Sequence, residues 1–121
     1  MKIEKFEDIT AWQESRSLVR TIYSIVKLSK NFSQDIRFKS QFTSAAISTM
    51  SNIAEGFSRK LDKEFIQFLF IAKGSIAEIQ SQLYVALDLK YIEEKEFHAV
   101  YTQTDKVARL ISRFITYLRN N

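Results

Sequence analysis

In Asp62–Leu89, DKEFIQFLFIAKGSIAEIQSQLYVALDL, the residues Phe65, Leu69, Ala72, Ile76, Ile79, Leu83 and Ala86 recur at alternating spacings of four and three. A strand would scatter these residues over both faces, whereas a helix gathers them on one stripe. Alternation of four and three is the seam spacing of a left-handed helical bundle. The stretch therefore predicts one long helix, over about 63–89, that needs other helices to cover its seam.

Three further stripes meet that need. Trp12, Ser15, Leu18, Val19, Ile22, Ile25 and Val26 predict a first helix over about 11–28. Phe38, Phe42, Ala45, Ala46, Thr49, Met50, Ile53 and Phe57 predict a second over about 34–59, with small residues that admit a close neighbour. Phe97, Val100 or Tyr101, Thr104, Val107 or Ala108, Ile111, Phe114 or Ile115, and Leu118 predict a fourth over about 94–119. The chain has no proline and only two glycines, so little interrupts these helices. Short connections force sequence neighbours to run antiparallel. The expected fold is an all-α, up-down-up-down four-helix bundle forming a single domain over 1–121, with residues 1–9 as an N-terminal arm.

Local signals set the expected ends. Thr10-Ala-Trp-Gln13 has the form of a capping box, Ser33 is a candidate N-cap with Asp35 in the first turn, and Asp62 and Glu93 are candidate caps of the last two helices. Ile92 is placed to staple onto Phe97. Ser29–Ser33 reads as a plain connection.

One segment is too apolar for a bundle alone. Within Phe65–Ala72, the residues Ile66, Phe68, Phe70 and Ile71 join the seam residues around most of the helix circumference. An apolar outer face implies a further partner, and these four are the candidate oligomer interface. Homo-oligomer formation is expected.

The chemistry readable from the sequence is sparse. No cysteine is present, so disulfides and thiolate metal ligation are excluded. The single histidine, His98, has Lys95 where a Glu-x-x-His pair needs its carboxylate, so no di-iron site is expected. No nucleophile motif or phosphate-binding loop occurs, and neither an enzyme, a cofactor nor a small-molecule substrate is expected. No apolar run reaches membrane-spanning length and no signal segment opens the chain, which predicts a soluble cytoplasmic protein.

A net charge of +4 biases the surface towards polyanions. Arg59, Lys60 and Lys63 at the second hinge, Lys106, Arg109 and Arg113 along the fourth helix, and Arg16 and Arg20 on the first are the candidate contacts with nucleic acid or a protein partner. No recognition-helix signature or base-stacking motif accompanies them, so any such binding is expected to be nonspecific. Beside the hinge, Asn52, Glu55 and Gly56 form a candidate structural corner. The stripe of Met50, Ile53 and Phe57 runs straight through Gly56, placing this glycine inside a helix at a cost of about 1 kcal/mol relative to alanine. That cost implies a close helix contact.

The Asn52-Ile-Ala-Glu-Gly56 segment carries a resemblance. With Phe6-Glu-Asp8, Trp12-Gln13, Ser40-Gln41, Ala45-Ala46, Arg59-Lys60, Lys63-Glu-Phe65, Gly74-Ser-Ile-Ala-Glu78, Gln82-Leu83, Asp88-Leu89 and Tyr91-Ile92, it resembles a bacterial family of four-helix-bundle proteins. That family is encoded by intervening sequences of large-subunit ribosomal RNA genes. The resemblance implies an all-helical, ring-shaped homopentamer without established enzymatic activity. It also implies a relation to the accessory protein of diversity-generating retroelements, a basic barrel that associates with a reverse transcriptase and nucleic acid. Thr43-Ser44 and Met50 depart from the family pattern, which often has a basic pair and a proline there; losing the proline predicts a straighter second helix.

Overall fold

The computed structural model describes residues 2–120. A 3-10 turn at Phe6–Asp8 leads into α1 (Thr10–Leu28), α2 (Lys30–Gln34), α3 (Ile36–Phe57), α4 (Asp62–Asp88) and α5 (Glu94–Arg119). The fold is all-α, with four long helices and one short one, and no strand occurs among the described residues. Helix α4 packs on α3 and α5, and α1 packs on the same two from the other side.

Antiparallel courses show in the paired residues. Ser48 on α3 faces Ser75 on α4, while Gly56, two turns later on α3, faces Phe65, earlier on α4. Gln80 on α4 meets Thr104 on α5, and Phe65 stacks edge-on with Phe114. Glu14 on α1 reaches Lys106 on α5.

The predicted seam of α4 is the core. Leu69, Ala72, Ile76, Ile79, Leu83 and Ala86 are all buried, against Leu18 and Ile22 of α1, Phe42 and Ile53 of α3, and Val107 and Ile111 of α5. Where the sequence left pairs open on α5, Val100, Val107 and Ile115 are buried, and Tyr101, Ala108 and Phe114 pack half-buried at the margin. As the absent proline predicts, α3 runs unbroken through Met50.

The helix ends differ from expectation. The Thr10–Gln13 capping box does not form: Ile9 is the N-cap residue, buried and without a side-chain cap, and Gln13 Nε2 donates instead to the Glu7 carbonyl at 2.8 Å. Burying Ile9 outweighs a polar cap worth about 1 kcal/mol. Ser29–Ser33 is not a plain connection but mostly helix α2, capped by Ser29, whose Oγ accepts from Phe32 N–H. Ser33 is no cap; its Oγ donates back to the Val26 carbonyl at 2.8 Å. Asp35 is not in the first turn of a helix but at the N-cap of α3, accepting from Phe38 N–H. Leu61, rather than Asp62, precedes α4. At Glu93 the expected cap position holds, Glu96 accepting from Glu93 N–H at 2.8 Å, with Ile92 and Phe97 both buried.

The N-terminal segment is packed rather than loose: Phe6 meets Trp12 edge-on at 5.0 Å, and Asp8 accepts from Glu4 and Lys5 N–H.

Candidate functional site

The hinge between α3 and α4 is a packed corner. Gly56 is buried, and a Cβ built there would lie 2.6 Å from Phe65 Cδ1 and 2.8 Å from Phe68 Cβ. The two helices touch where the sequence requires a residue without a side chain. Glu55 and Arg59 pair at 3.2 Å, offsetting a carboxylate at the negative end of α3. Asn52 acts one turn earlier: its Nδ2 donates to the Ser48 carbonyl at 2.8 Å and to Ser48 Oγ at 3.0 Å, and Ser75 Oγ donates to the same hydroxyl at 3.0 Å. Asn52 thus ties α3 to α4 through a relay, not through the corner itself.

Of the cations, Arg59 is committed twice, to Glu55 and to the Phe68 ring, 4.8 Å from its guanidinium carbon. Lys60 and Lys63 stand exposed with no ion pair among the described residues. On α5, Lys106 is held by Glu14 at 3.3 Å, while Arg109 and Arg113 are exposed and without an ion pair among the described residues. On α1, Arg16 lies 6.0 Å from the Trp12 ring and Arg20 is exposed. The α1 and α5 groups lie on adjoining helices that the Glu14–Lys106 pair joins. Both belong to outward faces of these helices, and the third group belongs to the α3–α4 hinge.

The candidate oligomer interface divides. Ile66 and Phe68 are half-buried; Ile66 packs on the protein's own core, and Phe68 sits beneath Arg59. Phe70 and Ile71 remain about half exposed. Phe70 is flanked by Arg119, 5.5 Å away, and by Lys73 at 5.8 Å. The same outward face continues well beyond the predicted segment. Phe70, Gly74, Ala77, Ser81 and Tyr84 repeat the four-three alternation, with Ile71, Val85 and Leu89 beside them, all exposed. Helix α4 therefore carries a second seam on its outer side, large at both ends and small in the middle. A Cβ at Gly74 would meet nothing within 4 Å, so the protomer itself gives no packing reason for this glycine. The spacing is present in the sequence, but the small residues Gly74, Ala77 and Ser81 in its middle give it no apolar signal beyond the aromatic first turn.

No group of three or more metal-ligating His, Cys, Asp or Glu side chains exists among the described residues. His98 is exposed on α5, edge-on to Phe97. No described helix is long and apolar enough to cross a membrane.

A family model described as 23S rRNA-intervening sequence protein matches residues 7–113. The chain belongs to this family. The match takes in the corner and all of α4 in one span, in keeping with the quoted resemblance. Among solved structures, a protein of unknown function from the S23 ribosomal protein family of Bacteroides thetaiotaomicron is similar at a TM-score of 0.80 and 19% identity, over 88% of this chain and 98% of that one. At that identity the likeness speaks for the fold of this intervening-sequence protein alone. No curated protein matches it.

Proposed function

We propose that this protein is a non-enzymatic, up-down-up-down four-helix bundle that assembles with copies of itself and serves as a scaffold or adaptor for a protein partner. The observation that carries this reading is the second seam of α4. Phe70, Ile71, Tyr84, Val85 and Leu89 are 43–54% exposed along one helix face, as two apolar ends parted by Gly74, Ala77, Ser81 and the exposed Glu78, and exposed apolar side chains grouped in this way mark an interaction site. Burying the exposed half of each contributes on the order of 1 kcal/mol. The sum, about 5 kcal/mol, is only comparable to the low end of the association cost of about 4–15 kcal/mol. The seam alone therefore favours concentration-dependent assembly, and a closed ring, which the family resemblance implies, gains by giving every subunit two contacts.

Light scattering across a concentration series tests this. The expected result is species heavier than 14.2 kDa at micromolar concentration, shifted towards monomer by Phe70→Lys and by Tyr84→Lys. A monomer throughout the micromolar range overturns the reading.

A second reading, nonspecific nucleic-acid binding, is favoured by Lys60, Lys63, Arg109 and Arg113, which have no acidic partner among the described residues. Titration of RNA and single-stranded DNA at rising salt separates the two, because phosphate neutralisation gives a steep salt slope. Absence of binding in low salt removes this reading.

A further inference from the structure

Where α1 begins and α5 ends, a cavity of about 300 Å³ opens to solvent on one side, walled by Ile9 and Ala11 on one flank and by Leu110, Phe114 and Tyr117 on the other. No residue of α4 lines it, so it is separate from the face assigned to self-association. Its one charged lining residue is Arg113. An apolar concavity with a few polar groups, here Arg113 and Thr10 beside the Tyr117 ring, is the usual form of a small-molecule site, the apolar wall supplying affinity and the polar groups orientation.

Arg113 has no ion pair among the described residues, in contrast to Lys106 two turns earlier, which Glu14 neutralises. Its guanidinium presents a planar fork of N–H donors that matches a carboxylate or a phosphate at two points, and the apolar walls around it suit the carboxylate of a hydrocarbon acid. The start of α1 at the same rim adds to the positive potential. Its N-cap is Ile9, with no side-chain acceptor, and Gln13 is spent on the Glu7 carbonyl. Nothing acidic lines the cavity. At about 30 Å³ per water-sized group, the space holds about ten non-hydrogen atoms.

We propose that this cavity binds a small apolar monocarboxylate, its carbon tail against Ile9, Leu110 and Phe114 and its carboxylate on Arg113. Octanoate, which has the right size, is the probe. In calorimetric titration of the full chain, octanoate is expected to saturate at one per chain and to bind more tightly than octan-1-ol, with acetate failing to saturate. Arg113→Met is expected to weaken octanoate by at least about tenfold, the worth of a charge-assisted contact, and to leave octan-1-ol unchanged. Leu110→Trp, which fills the cavity, is expected to abolish both. Arg113 is exposed, so its replacement leaves the core intact, and the comparison of octanoate with octan-1-ol on the unaltered chain requires no variant. Absence of saturable octanoate binding at millimolar concentration, equal affinity for acid and alcohol, or an unchanged affinity in Arg113→Met overturns the proposal.

Discussion

The two glycines both sit inside helices and do opposite things. At Gly56 a methyl group would collide with Phe65 and Phe68, and overpacking of this kind costs about 1–3 kcal/mol. That exceeds the gain of about 1 kcal/mol from alanine's helix propensity. At Gly74 no atom stands in the way, so only the propensity gain applies to the isolated protomer. Gly56→Ala is thus expected to lower the urea midpoint of dilute protein and Gly74→Ala to raise it. A third position breaks the usual rule for helix ends. Lys90 holds φ 62°, and its N–H and that of Tyr91 close α4 on the carbonyls of Leu87 and Ala86. This is the left-handed terminator that glycine normally occupies, and lysine is strained there. Lys90→Gly is expected to stabilise the protein by about 0.5–1 kcal/mol, read from denaturant unfolding. Gly56 was readable from the sequence because the stripe passes through it. Lys90 was not, since nothing in its side chain announces a positive φ.

Between residues 29 and 38 the chain breaks its helix twice, and the break is held from a distance. Asp35 caps α3 through Oδ1 and accepts the Tyr91 hydroxyl on Oδ2 at 2.7 Å, joining the α2–α3 kink to the turn before α5. Rings of Phe32, Phe38 and Phe42 pack around the same point, and Phe32 is fully buried. The hydrogen bond to Asp35, then burial, then the Asp35 charge hold the Tyr91 phenol above its ordinary pKa of 10.0. A pKa raised on folding means that the folded state favours the protonated phenol. Its stabilising effect is complete below pH 10 and is lost as pH climbs through the higher folded value. Thermal melts across pH 9–12 are expected to show an alkaline loss of stability that Tyr91→Phe reduces. Sequence patterning supplied Asp35 as a residue near a helix start, but its partner lies 56 positions away. Phe32 fell in what read as a connection because a single turn of helix is too short to show a period.

For the whole molecule, the surface proposed for assembly is mainly apolar, and salt therefore separates it from any charged contact. Assembly through α4 is expected to persist at high salt, because burial of apolar surface is not screened, whereas any hold on polyanions weakens steeply. Sedimentation at low and high salt reads the first effect directly. The four long helices and most of the core were legible beforehand, since residues three and four apart share a helix face whatever the helix packs against. The Gly56 contact was legible for a related reason, because an unpaid helix penalty needs a neighbour. The sequence by itself also marked one helix as apolar around most of its circumference. Which part of that surface stays uncovered was decided only in three dimensions. Packing absorbed Ile66 and Phe68 and left Phe70, Ile71, Tyr84, Val85 and Leu89 outside, because the position of each neighbouring helix determines which flank residues are shielded. The cavity beside Arg113 likewise exists only once the start of α1 meets the end of α5, since its walls come from segments about a hundred residues apart that no local pattern connects.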